Sequence, residues 1–135
     1  VVMTPNWEPV LVSLSGSIGE REIDEMYIRT EGNVWLKNEE MAEEFIDCTF
    51  VDISLTPFTN TLPIRNLNLQ AGESKNIKVL YFDVIEGEVK AVQQQYTCID
   101  KHHYKFENIP NDFEAILTVD DEGYVVDYPG LFERV

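Results

Sequence analysis

Positive charge is scarce in this chain. Its 135 residues carry 10 lysines and arginines against 25 aspartates and glutamates, a formal net charge of −15. Phosphate backbones repel such a surface, which argues against nucleic-acid binding. Anionic bilayer surfaces are disfavoured for the same reason. The acidity reads first as a solubility device. Cysteine is nearly absent: Cys48 and Cys98 are the only two. Two thiols in a mid-sized domain do not make a disulfide scaffold, and both are expected to be free and semi-buried. Val1-Val2-Met3 runs at once into Thr4-Pro5, with no export signal, so the expected location is cytoplasmic. No apolar run approaches the length of a bilayer span, so stable membrane insertion is not expected.

The motifs of several chemistries are missing too. His102 and His103 are adjacent, so on a strand they face opposite ways and cannot share a metal. Asp120-Asp121-Glu122-Gly123 lacks the spaced ligands of a calcium loop and reads as a solvated turn. Gly72-Glu73-Ser74-Lys75 lacks the first glycine of a phosphate loop. No Gly-x-Ser-x-Gly elbow occurs. Neither metal nor cofactor is expected.

What is present centres on Thr56-Pro57-Phe58-Thr59-Asn60-Thr61-Leu62-Pro63-Ile64-Arg65. Pro57 and Pro63 fix φ and each removes a backbone donor, and the residues before them are pushed toward extended geometry. Thr59, Asn60 and Thr61 have short side chains that bond nearby backbone. The expectation is a stiff, bent, non-helical crossing between two strands, with Asn60 bonded to backbone. It either presents Thr59, Asn60 and Arg65 to a polar pocket or is a structural corner whose polar groups satisfy one another.

This stretch, extended back to Asp52-Ile53-Ser54-Leu55, resembles the signature of a bacterial family of unknown activity, the putative glycolipid-binding domain family. The downstream order is similar to that family as well: Gln94-Gln95-Tyr96, the Asp121-Glu122-Gly123 turn, and a closing Asp127-Tyr128-Pro129-Gly130-Leu131-Phe132-Glu133-Arg134-Val135. The resemblance is good from Cys48 to Val135 and weak before. Glu133 stands where the pattern leads one to expect a second arginine. The resemblance implies a β-rich, partly closed barrel-like fold and an amphipathic ligand. It also implies further strands before the segment around Trp7, so the chain is expected to be shortened at its start.

Periodicity points the same way. Val10–Leu14, 22–29, Val34–Leu36, 50–56, 76–85, 89–100, a segment around Tyr104 and Phe106, 113–119 and 124–128 all alternate as strands. The segment 76–85 is apolar on both faces, which means that both are covered. The helix candidate is Asn38–Phe45, capped by Asn38, with an acidic loop as the alternative. The length suits one domain over residues 1–135. The expected class is therefore mostly β: an antiparallel rolled sheet or partly closed barrel with at most one short helix.

The candidate ligand-binding residues are Asp52, Thr56, Phe58, Thr59, Asn60, Arg65, Gln95, Tyr96, Tyr128 and Arg134. Asp52 lies on the polar face of its strand and Arg65 leaves the corner that follows, so the two are expected to pair at the polar mouth of an apolar cavity. Tyr81, Tyr96, Tyr104, Tyr128 and Phe58 offer amphipathic walls. The leading reading is a non-catalytic binder of a lipid-like small molecule. Its rivals are a hydrolase-like enzyme using Asp52 with Arg65, and a structural or interaction domain with a filled core.

Overall fold

The computed structural model describes residues 1–54 and 56–135. Strands β1 (Val2–Met3), β2 (Pro9–Ile18), β3 (Arg21–Thr30), β4 (Val34–Lys37) and β5 (Glu40–Met41) form an antiparallel meander in chain order. A second sheet contains β6 (Phe50–Ile53), β7 (Ser74–Asp83), β8 (Glu88–Asp100), β9 (His103–Ile109), β10 (Glu114–Val119), β11 (Val125–Tyr128) and β12 (Phe132–Glu133). Its seven strands lie side by side from β12 down to β7, with β6 at the far edge, and curl into a half-barrel. Of the expected strand over 50–56, Phe50–Ile53 is observed as β6; Ser54 and Thr56 lie beyond it, and Leu55 lies outside the described residues.

One pairing departs from the antiparallel expectation: β6 and β7 run parallel, Asp52 opposite Tyr81. A parallel neighbour cannot be reached by a hairpin and needs a crossover of a dozen or more residues. Helix α1 (Phe58–Leu67) lies in that crossover.

The helix corrects two expectations at once. Thr56–Arg65 is not an extended corner, because each proline sits where a helix tolerates it. Pro57 has helical backbone angles (φ −78°, ψ −5°) at the very start, where its missing N–H has no helical partner to lose. Pro63 deletes one bond from a short helix that packing holds in place. Asn68 stops the helix in the left-handed region, φ 48°. Conversely, Asn38–Phe45 is not an α-helix. Asn38 and Glu39 both have positive φ and turn β4 into β5, with Lys37 opposite Glu40. The Asn38 amide oxygen accepts from the Met26 N–H on β3 at 2.9 Å instead of capping a helix. Only a 3-10 turn, Glu43–Phe45, remains.

Both faces of β7 are covered, as its pattern requires. Phe82 meets Tyr27 of β3 edge-on, ring centroids 4.8 Å apart. Trp35 of β4 is fully buried and donates its indole N–H to the Cys48 carbonyl at 2.9 Å. The first sheet thus packs on the outside of the half-barrel. The β2–β3 tip docks separately: Arg21 donates to the Val84 and Ile85 carbonyls at 2.6 and 2.8 Å. Its guanidinium fills the space where a side chain at Gly87 would sit. Cys48 and Cys98 are free and buried, and burial pushes the Cys48 thiol up to about 11.

Candidate functional site

Helix α1 lies in the concavity of the half-barrel, held by three consecutive side chains. Thr59 donates its hydroxyl to Asp52 of β6 at 3.2 Å and accepts from the Ile53 N–H. Asn60 donates to the Tyr96 hydroxyl of β8 at 2.9 Å. Thr61 donates to the Gly123 carbonyl in the β10–β11 turn at 3.0 Å. All three are buried. A bare Cβ at Gly123 would stand 3.0 Å from Arg65 and 3.4 Å from Ile64, so a small residue lets the turn approach the helix.

The part of the concavity that α1 leaves open is a cleft of about 900 Å³. It lies where β6 and β7 end and β8 begins. Its floor is polar: Asp52, Asn60, Gln94 and Tyr128. Phe106 and Val92 continue the wall, and Ile109, Phe113, Leu131 and Phe132 form an exposed apolar rim on one side. Asp83 and Lys90 stand on the other side. The expectation of an apolar cavity with a polar mouth is therefore inverted, because buried polar groups of the helix set the chemistry of the floor.

Asp52 keeps part of its surface open to the cleft. Gln94 donates to its second oxygen at 3.0 Å, which complements the Thr59 bond to the first. Burial pushes its carboxyl above the usual carboxylate range, and the bonds from Gln94 and Thr59 oppose that shift without cancelling it. Tyr96 and Tyr128 are raised by burial first and by the Asp52 charge next. Tyr81 is raised by burial, then by Asp83 and Asp52. A carboxyl that ionises less readily in the folded protein contributes stability at pH below its unfolded value. That contribution is lost as pH rises through the raised folded value. Asp52→Asn does not titrate, so urea midpoints of this variant should gain on the parent as pH rises from the ordinary carboxylate range toward neutrality. Parallel curves for the two proteins would show that Asp52 ionises normally.

Of the residues singled out in the sequence, Asp52, Thr56, Asn60 and Tyr128 line the cleft. Thr59 and Tyr96 stand behind it, as the partners of Asp52 and Asn60. Four lie elsewhere. Phe58 stacks on Tyr124, ring centroids 6.4 Å apart. Gln95 points to the opposite face of β8 from Gln94 and Tyr96, as strand alternation requires. Arg134 pairs with Asp120 at 3.1 Å on the surface. Arg65 does not pair with Asp52: it lies over the Trp7 ring, 4.8 Å from the centroid, and donates to the Glu122 carbonyl. Helical geometry explains this, because residues six apart, such as Thr59 and Arg65, point in different directions. Gln94, Phe106 and Phe113 were not singled out. For Gln94 the signal was there, since it shares a face with Tyr96.

A curled sheet with an amphipathic cleft fits a ligand-binding fold. The chain belongs to the putative glycolipid-binding family, whose profile matches residues 1–134. It is similar to a DUF1089 family protein from Pseudomonas aeruginosa, whose crystal structure was determined at 1.80 Å. The two are 33% identical with a TM-score of 0.92, over 98% of this chain and 73% of the other. No curated protein matches the chain.

Proposed function

We propose that the protein is a non-catalytic binder of an amphipathic, glycolipid-like molecule that enters the cleft head first. The polar head meets Asp52, Asn60, Gln94 and Tyr128, and the chain leaves along Phe106, Phe113 and the Leu131–Phe132 rim. The observation that carries this reading is the polarity gradient of one cleft, from a hydrogen-bonding floor to an apolar rim. Few precisely placed polar groups within apolar walls are the usual composition of a small-molecule site. A carboxylate and amides fixed by their neighbours suit a head rich in hydroxyl groups, since little ordering is left to be done on binding. The family's description supports the same ligand type.

Dodecyl maltoside below its micelle concentration is a simple probe of this reading. It should shift backbone amide NMR signals of Tyr81, Gln94 and Phe113, whereas maltose alone should not. Phe113→Glu, at an exposed rim position, should weaken binding by about tenfold, the cost of placing a charge beside an alkyl chain. Shifts confined to other surfaces would remove the cleft from consideration.

A further inference from the structure

We propose that the head group read at the floor of the cleft carries a protonated amine, which seats on Asp52. This rests on the head-first reading above and narrows its ligand class.

The floor carries a carboxylate without a counter-charge. Asp52 takes part in no ion pair among the described residues. Its two bonded partners, Thr59 and Gln94, are neutral donors. Arg65, the nearest arginine in sequence, is turned to Glu122 and Trp7. Lys78 is engaged with the Ile46 carbonyl at 2.6 Å. Lys90 stands exposed at the rim. Asp83 and Asp112 add negative charge to the cleft wall, so its three carboxylates, with Asp52, stand against two ammonium groups, Lys78 and Lys90.

The groups facing Asp52 suit an ammonium. Tyr81 on β7, opposite Asp52 in the β6–β7 pairing, and Tyr128 on β11 line the same cleft as Asp52. Phenol oxygens accept hydrogen bonds, and aromatic rings attract cations. An ammonium has three donors and no acceptor, so a carboxylate with two phenols in the same cleft matches it. A phosphate or carboxylate head would meet Asp52 as a like charge. A neutral head would leave the carboxylate with no opposite charge in a partly desolvated place, where burial alone already opposes its ionisation.

Binding of dodecylamine and of N-dodecylacetamide, measured at one pH near 7 and 0.15 M salt, separates the possibilities. The two share a chain and differ in charge at the head. The parent should bind the amine more tightly by about tenfold or more, and Asp52→Asn should abolish that preference while still binding the amide. Glu31→Gln, an exposed acid outside the cleft, should keep the preference. A preference that survives Asp52→Asn would come from the general acidity of the surface and would overturn the proposal. Equal binding of both compounds by the parent would overturn it too, while leaving the cleft reading intact. If neither compound nor dodecyl maltoside binds, the cleft reading fails and this one with it. Should Asp52→Asn not fold, carboxyl-carbon NMR of the parent decides. Dodecylamine, and not the amide, should move the Asp52 resonance; no movement would refute the ion pair.

Discussion

Trp35→Ala is expected to cost about 3–5 kcal/mol of folding stability, a large share of the ~5–15 kcal/mol that holds a typical domain. The indole is fully buried on β4 and belongs to the one core cluster that includes residues of both sheets, among them Val12, Tyr27, Phe45, Leu80 and Phe82. Truncation removes that packing and also strands the Cys48 carbonyl, which accepts the indole N–H at 2.9 Å in a buried place. Urea denaturation is the measurement. A loss under about 1 kcal/mol would mean that the five-stranded sheet is not supported through Trp35.

Asn60→Leu is expected to cost about 1–3 kcal/mol, although leucine is similar in size and more apolar. Asn60 is 2% exposed and its amide is bonded to the Tyr96 hydroxyl, itself almost fully buried. Leucine leaves that phenol without its donor. Tyr96→Phe in the same chain removes the orphaned group, so the double variant should be more stable than the sum of the two single costs predicts. Strict additivity in the four-protein cycle would show that the two side chains do not act as a pair. Because Asn60 also lines the cleft, dodecyl maltoside binding should weaken in the single variant even under conditions where it remains folded.

The strands were legible because alternation is a local property. The hairpin between β10 and β11, the turn between β7 and β8, and the two-sided burial of β7 all follow from side chains a few residues apart. Helix α1 was not legible, and its burial explains why. Thr59 to Ile64 are buried without interruption, so the helix has no apolar stripe for a 3.6-residue period to show. Its polar residues answer to partners far along the chain, and its two prolines argue locally for extended backbone. The Thr59-Asn60-Thr61 centre was visible as the stretch that organises the chain, but its partners were not. Backbone bonding was expected; it was found for Thr59, which accepts from the Ile53 N–H, and for Thr61, while Asn60 bonds a phenol and Thr59 also a carboxylate. Arg65 misled for the same reason. Its charge suggested Asp52, while the helix carries it to the aromatic surface of Trp7.

The anchors of α1 also set an order of assembly during synthesis. Asn60 waits for a partner 36 residues later and Thr61 for one 62 residues later. A ribosome that has released β6 and the helix alone has delivered a segment in which Thr59 can find Asp52 but Asn60 and Thr61 have no partner yet. Closing those long loops costs chain entropy before any bond returns it. The floor of the cleft is therefore complete only once β11 has brought Tyr128 to it and the β10–β11 turn has met the helix. A chain stopped before Gly123 would carry every floor residue but Tyr128, and Thr61 would lack the carbonyl it bonds.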